Sequence, residues 1–142
     1  MALAAAQGAG NNARMVAAAD ATAETLAAVA AYIFVCPENL GSMSGAMKDM
    51  FDRCYYPLLG KIEGRPYATA IAAGSAGQGA EAQIDRIVTG WRLRRVAESL
   101  IINVKAESPA AILRPKWLDQ SALARCENLG KAMAEGVRLG IF

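Results

Sequence analysis

Three largely apolar runs of strand length mark the sequence, at residues 32–36, 67–73 and 100–104. They are rich in β-branched, aromatic or small apolar residues and lack the regular polar alternation of a half-exposed strand. Segments whose apolar residues recur every three or four positions separate these runs. Strands that alternate with helices predict an α/β domain with a parallel sheet covered by helices on both faces.

The segments with helical period predict three helices and the core that they cover. Their apolar positions are Met43, Met47, Met50, Phe51 and Cys54 in the first, Ala80, Ile84, Ile87, Val88 and Trp91 in the second, and Ala122, Cys126, Leu129, Met133 and Val137 in the third. Ser42 or Ser44 is suited to cap the first helix, and Asp119 the third, because their oxygens accept from free backbone N–H groups. We expect the core to include Met47, Phe51, Ile84, Val88 and Met133.

The N-terminal part carries weaker patterns. Residues 1–8 are alanine-rich and predict a helix that ends at a glycine. Residues 14–18 predict a short strand, and residues 22–28 a short helix capped by Thr22 or Asp20. Near the other end of the chain, two prolines predict a loop over residues 109–115.

A polar, glycine-bearing connection follows the first apolar run. Pro37 has no N–H to donate, so we expect it to end that strand. The connection leads into the first long helix, whose free N–H groups then face the end of the strand. In open α/β sheets this crevice is where ligands bind, and helix N-termini favour anionic groups.

Composition fits one domain and excludes several kinds of chemistry. The chain has 142 residues, 54% of them apolar, and a net charge of +2, which is too small to indicate nucleic acid. Histidine is absent from the sequence, so a Ser-His or Cys-His nucleophile is impossible. Cys36, Cys54 and Cys126 are scattered and predict buried core thiols of a cytoplasmic protein rather than disulfides or a metal cluster. We expect no signal peptide and no membrane span.

Residues 33–53, 74–79 and 90–93 resemble the flavodoxin-like superfamily, in particular its NAD(P)H-dependent FMN reductases. In that family a strand ending in proline, a Gly-x-Met turn and a Met-Lys helix followed by Asp-Arg form one wall of the FMN pocket. The matching residues here are Pro37, Gly41, Ser42, Met43, Met47, Lys48, Asp52 and Arg53. The resemblance implies a single flavodoxin-like domain, a three-layer α/β/α sandwich with a parallel sheet, and FMN as cofactor.

The resemblance also implies which residues border the flavin. The first loop would contact the ring, with Leu40 or Met43 on its face, and the glycine-rich second loop would approach its polar edge. The implied cofactor-binding residues are Pro37, Glu38, Asn39, Leu40, Gly41, Ser42, Met43, Gly74, Ser75, Gly77, Gln78 and Gly79. No catalytic side chain and no metal ligand are implied.

One part of the family pattern is missing. The family binds the FMN phosphate with a Ser/Thr-rich loop after its first strand, whereas here residue 1 falls where the first helix is already under way. The resemblance therefore implies that this strand and its loop are absent, although the strand lies inside the sheet in the order 2-1-3-4-5. We expect a hole between residues 14–18 and 32–36, and weak binding of FMN unless other residues fill it.

The implied function is a redox protein that passes electrons from NAD(P)H through FMN to a quinone, a flavin or another acceptor. The alternative is a binding or scaffold protein that keeps the fold without a cofactor. A small hydrolase is disfavoured, because no Gly-x-Ser-x-Gly elbow follows a strand. The remaining expectations are a cytoplasmic location, no nucleic-acid partner, and a homodimer or homotetramer.

Several of these motifs are also open to a second interpretation. The first loop is also consistent with an ordinary βα connection, and residues 74–79 with a plain turn. Gly77-x-Gly79-x-x-Ala82 loosely fits a dinucleotide fingerprint. The methionines of the first long helix are suited to the core or, less favourably, to contact with a flavin. Arginines at positions 92, 94 and 95 predict a solvated helix end or, as a minority interpretation, attraction for a nicotinamide dinucleotide phosphate or an acidic partner.

Overall fold

The computed structural model describes residues 1–142, apart from the side chain of Asn12. The helices are α1 (Ala2–Ala9), α2 (Ala23–Ala27), α3 (Gly45–Leu58), α4 (Gln78–Gly90), α5 (Pro109–Leu113) and α6 (Gln120–Arg138). The strands are β1 (Tyr32–Asn39), β2 (Ser42–Met43), β3 (Pro66–Ala73), β4 (Arg94–Arg95) and β5 (Leu100–Asn103). Among the described residues, none of the helices is both long and apolar enough to cross a membrane.

Strand β3 lies at the centre of the sheet. It pairs in parallel with β1 on one side, where Tyr32 lies opposite Tyr67. On the other side its first residues pair with β4 and its last residues pair with β5, again in parallel. The three predicted strands and their parallel arrangement are therefore confirmed. The short β2 pairs antiparallel with the end of β1, which makes the sheet mixed at that edge.

Helices cover both faces of the sheet, as predicted for a three-layer α/β/α sandwich. On one face α3 and α4 pack over β1 and β3. There the ring centroid of Phe51 lies 5.2 Å from that of Phe34 and 5.4 Å from that of Trp91. On the other face α1 and α6 pack together and cover β5 through a smaller apolar cluster. The predicted core residues Met47, Phe51, Ile84, Val88 and Met133 are all buried.

The predicted helix caps agree with the structure. Ser44 Oγ accepts from the backbone N–H of Met47, and Asp119 Oδ1 accepts from that of Ala122 at 2.7 Å. Thr22 caps α2 in a capping box with Thr25, which identifies Thr22 rather than Asp20 as the cap. These caps satisfy N–H groups that have no partner inside their own helix.

Two strand predictions are wrong. Residues 14–18 are irregular, because no described strand lies beside them to supply the hydrogen bonds that a strand needs. Pro37 does not end its strand: it pairs with Ala72, and β1 continues to Asn39. A proline is tolerated there because β1 has no described neighbour along residues 32–37 on the side away from β3, so its missing N–H need not face a partner.

Two further segments differ from the sequence interpretation. Residues 109–113 form α5 instead of a loop, because Ser108 caps the helix and Pro109 at its start already has a helical φ. Arg94 and Arg95 are not a helix end but form β4, since α4 stops at Gly90 and the chain turns back beside the start of β3.

A large cavity runs along the outer edge of β1. It has a volume of about 1050 Å³ and lies between residues 13–18, the edge of β1 and the helices α1 and α6. A hole was expected at this place from the sequence, but residues 13–18 line it as an irregular segment rather than as a strand.

Candidate functional site

The first candidate loop is a tight hairpin between β1 and β2. Asn39 lies opposite Ser42, and the two residues between them, Leu40 and Gly41, both have positive φ, at 53° and 73°. Positive φ at both central positions is the pattern of a type I′ hairpin, which matches the twist of the flanking strands. A leucine rarely adopts this conformation, and here its side chain is fully exposed at the tip.

Glu38 joins the two candidate loops. Its Oε1 accepts from the backbone N–H of Gly77 at 2.8 Å, and its Oε2 accepts from that of Ala80 at 3.0 Å. Both N–H groups belong to the N-terminal turn of α4, where a negative charge is favoured by the helix dipole. The carboxylate therefore fixes the position of the hairpin relative to the glycine-rich loop.

A second contact holds the hairpin against α4. Gln83 Oε1 accepts from the backbone N–H of Met43 at 3.0 Å. A Cβ atom on Gly79 would lie 2.1 Å from the backbone oxygen of Gly41, so the two loops touch through their glycines. Only glycine at position 79 permits this approach without a shift of the backbone.

The end of β5 supports the second loop from its other side. The Asn103 side-chain amide donates to the backbone oxygen of Ser75, and its oxygen accepts from the N–H of Lys105 at 2.7 Å. The N–H of Ala106 donates to the oxygen of Gly74 at 2.8 Å. Ser75 itself stays exposed at the surface.

The sequence left open whether Leu40 or Met43 of the first loop is available to contact the face of a flavin ring, and the structure distinguishes the two. Met43 is 4% exposed and belongs to the core, so Leu40 is the apolar side chain that this loop presents to solvent. Cys36 is also buried, and burial raises the pKa of its thiol, which Glu38 reinforces by its negative charge. A buried, protonated thiol is a poor nucleophile, so Cys36 acts here as a packing residue.

The dinucleotide interpretation of Gly77 to Ala82 is disfavoured by the same geometry. The N–H groups of Gly77 and Ala80 would have to face a pyrophosphate, but both already donate to Glu38. The glycines instead serve the contact between two loops. Gly77 has a φ of 111°, and a Cβ atom there would lie 2.5 Å from the Ile101 side chain.

The arginines after α4 do not form one free basic cluster. Arg95 pairs with Asp85 of α4, and its guanidinium lies 5.3 Å from the centre of the Tyr67 ring. Arg92 lies 3.6 Å from Glu63, and both side chains are largely exposed. Arg95 therefore fastens α4 to the sheet, which reduces the charge that this segment offers to a phosphate.

The candidate residues thus come together at the carboxyl ends of β1 and β3. Sequence reasoning found both loops but missed two residues that position them, Gln83 and Asn103. Gln83 lies in a helix among other polar residues, so no sequence pattern distinguishes it. Asn103 gave a weak signal, as a polar residue at the end of an apolar strand.

Comparison with known protein families identifies the family to which this chain belongs. It matches the profile of the NADPH-dependent FMN reductase family over residues 5–99. The match spans more than half of the chain, so the protein belongs to this family of flavin-associated redox proteins. No curated protein sequence matches it significantly.

Solved structures show the same fold at low sequence identity. A flavodoxin from the domain Archaea is 16% identical, with a TM-score of 0.69 and coverage of 96% of this chain and 90% of that one. A WrbA-like flavodoxin from Agrobacterium tumefaciens is also 16% identical, with a TM-score of 0.69 and coverage of 96% and 87%. The Flv1 flavodiiron core from Synechocystis is 14% identical, with a TM-score of 0.67; the match covers 96% of this chain and 32% of that one. The flavodoxin-like fold is therefore confirmed.

Proposed function

We propose that this chain binds the isoalloxazine ring of FMN against residues 37–43 and 74–79 and acts as an NAD(P)H-dependent reductase. Family membership supports a flavin as cofactor. The position of the two loops supports the site, since ligands of open α/β sheets bind beyond the carboxyl ends of the strands.

The conformation of Leu40 carries the proposal. A large apolar side chain is held fully exposed, at a positive φ that costs of order 1–2 kcal/mol for a residue other than glycine. Glu38 and Gln83 prevent the hairpin from relaxing. Residues held in such backbone conformations cluster at sites that contact ligands, and a bound flavin ring would bury the exposed Leu40 side chain.

The residues of the two loops fit a flavin ring. Leu40 offers an apolar surface for the face of the ring, and the exposed backbone around Ser75 offers polar groups for its edge. Neither loop contains lysine or arginine, and Glu38 is the one charged residue in them, so the loops suit the uncharged ring better than the phosphate. When bound, FMN supplies electron transfer between a nicotinamide donor and an acceptor such as a quinone or a flavin.

A second candidate is a protein with the same fold that works without a cofactor. The lack of cations in both loops and the use of the α4 N-terminus by Glu38 favour this alternative. The two functions differ in one simple property, which is whether the protein binds flavin at all.

The test is a titration of the purified protein with FMN and with riboflavin, followed by quenching of flavin fluorescence. We expect saturable binding of both, since the loops hold the ring that the two molecules share. Leu40→Asp should weaken each ligand at least tenfold and by a similar factor. The matched control Leu139→Asp changes another exposed leucine, which follows α6, and should leave both affinities unchanged.

Two results would contradict the proposal. A protein that is colourless and does not quench either flavin would favour the cofactor-free function. Tight flavin binding that Leu40→Asp leaves unchanged would place the ring elsewhere. If flavin binds as expected, oxidation of NADPH or NADH with a quinone as acceptor then tests the reductase activity.

A further inference from the structure

The connection between β5 and α6 is long and almost entirely exposed. Residues 104–119 link the two elements, whereas a connection between a strand and a helix in α/β domains usually has about 2–6 residues. From Glu107 to Trp117 every residue except Ala111 is exposed, and the short helix α5 has no buried residue. A connection of this kind contributes little to the core, so its side chains are available for contacts with a partner.

The connection has a fixed conformation in spite of its exposure. Ser108 Oγ accepts from the backbone N–H of Ala111 at 3.2 Å and thereby caps α5. At the other end of α5 the Lys116 ammonium donates to the backbone oxygen of Ile112 at 2.7 Å and to that of Arg114. The exposed side chains are therefore held in place before any partner binds, which lowers the entropic cost of binding.

Large apolar side chains and cations lie together on this connection. Three apolar side chains are 58%, 85% and 87% exposed, namely Ile112, Leu113 and Trp117. Trp117 lines a depression of about 230 Å³ together with three cations, Lys105, Arg114 and Lys116. We call these six residues the apolar-basic patch. None of its three cations forms an ion pair with a described residue.

The net positive charge of the chain is concentrated at the apolar-basic patch. Residues 104–117 contain three cations and one carboxylate, Glu107, whereas the charges of the remaining residues balance. The next carboxylate along the chain, Asp119, is engaged at the start of α6, where its Oδ1 accepts from the N–H of Ala122. The partner that complements this patch is therefore both negatively charged and able to cover apolar side chains.

We propose that the apolar-basic patch binds the surface of an anionic lipid bilayer. Leu113 and Trp117 enter the headgroup region, and the three cations contact the lipid phosphates. Tryptophan and leucine beside lysine and arginine are the composition of segments that lie on a membrane surface, and tryptophan favours the interface between lipid and water. Each lysine or arginine near such a surface adds attraction to anionic lipids.

Two other occupants suit the patch less well. In a symmetric dimer built on this surface the same patch would face itself, so the cations of one copy would meet those of the other. A protein partner would need a matching pocket for each projecting apolar side chain, and lysine is depleted in the cores of such interfaces. Lipid headgroups are fluid, so they can close around side chains that are 85% and 87% exposed.

The patch begins next to the candidate site. The N–H of Ala106 donates to the backbone oxygen of Gly74 at 2.8 Å, and the side-chain amide of Asn103 donates to the oxygen of Ser75. A bilayer bound at the patch would thus lie on the side of the second loop, where acceptors dissolved in lipid are close. Binding to the bilayer does not depend on a flavin, so its test needs none and is independent of the proposed function.

The test is co-sedimentation of the purified protein with vesicles of phosphatidylcholine and phosphatidylglycerol in equal parts. Vesicles of phosphatidylcholine alone are the control. We expect saturable binding to the anionic vesicles, about tenfold weaker binding to the neutral ones, and a loss of binding at high salt. Lipids brominated on their acyl chains should quench Trp117 but not Trp91, which is 1% exposed. Trp117→Phe should abolish that quenching.

Substitutions locate the binding surface. Leu113→Asp and Arg114→Glu should each weaken binding to the anionic vesicles about tenfold. The matched controls Leu139→Asp and Arg86→Glu change an exposed leucine and an exposed arginine elsewhere, with the same change in net charge, and should have little effect. All four positions are exposed, so we expect folded proteins, which circular dichroism checks.

Three results would overturn the proposal. The first is an absence of binding to the anionic vesicles, and the second is equal weakening by the patch variants and by their controls. The third is a dimer in analytical ultracentrifugation that Leu113→Asp dissociates, because it would assign the patch to a second copy of the chain.

Discussion

Strands β1 and β3 each contain an apolar run, at residues 32–36 and 67–73, but the two runs lie in very different surroundings. β3 has neighbours on both sides and helices on both faces, and all but one of its residues are buried. In β1 only alternate residues are buried: Tyr32, Phe34 and Cys36 pack under α3 and α4, whereas Ile33 and Val35 are half-exposed beside the cavity along the outer edge of the strand.

The difference shows what an apolar run does and does not specify. Continuous apolarity predicts a strand that is suited to burial on both faces. It does not say whether the rest of the molecule supplies the second neighbour and the second cover. β1 has the sequence of an interior strand, but among the described residues its positions 32–37 have a strand partner on one side only.

The largest expected effect compares the same substitution in the two strands. Ile71→Ala in β3 removes a side chain with no exposure, so we expect it to lower the free energy of unfolding by about 2–5 kcal/mol. Ile33→Ala in β1 removes a half-exposed side chain beside an existing cavity and should cost about 1 kcal/mol. Urea denaturation measures both. Equal losses would show that β1 is as well covered in solution as β3.

Sequence pattern predicted the interior of the fold better than its edges. The strands, the core and the caps Ser44 and Asp119 follow from local periodicity and from residue chemistry. The strand expected at residues 14–18 failed because a strand needs a neighbour, and a single sequence does not say whether one lies beside it. The antiparallel β2 was missed for a similar reason, since two residues are too few to show alternation.

The second prediction concerns the contact between α1 and α6, which line the cavity beside β1. A Cβ atom on Gly130 of α6 would lie 1.9 Å from the backbone oxygen of Ala5 in α1, so these helices touch through their backbones. Gly130→Ala should therefore lower the free energy of unfolding by about 1–3 kcal/mol, although alanine is the better helix former.

Gly45→Ala is the matched control, since it lies at the start of α3 and a Cβ atom there meets no other atom within 4 Å. We expect it to be neutral or stabilising by about 0.4–1 kcal/mol. If Gly130→Ala also proved neutral in thermal denaturation, the contact between α1 and α6 would be looser than the short distance between their backbones indicates.

The candidate site was predictable as a place but not as an arrangement. Strand, glycine loop and helix indicated residues 37–43 and 74–79 as neighbours at one end of the sheet. The contacts that join them depend on residues 39 to 42 positions apart, such as Glu38 with Gly77 and Ala80, and sequence spacing carries no information on such pairs.

The smallest expected effect compares how β1 and β3 end. After β3 the residue with a strongly positive φ is Gly77, whereas after β1 it is Leu40 followed by Gly41. Leu40→Gly makes the two ends alike. It removes a penalty of about 1–2 kcal/mol for a leucine at positive φ and adds an entropic cost of about 0.5–1 kcal/mol for glycine. We therefore expect a gain in stability between zero and about 1.5 kcal/mol by urea denaturation, together with weaker flavin binding. Leu113→Gly, at an exposed position of α5 without positive φ, should lose stability by about 0.5–1 kcal/mol instead. Loss of stability in both variants would mean that the hairpin is unstrained, and the argument that Leu40 is held in place for a ligand would fail.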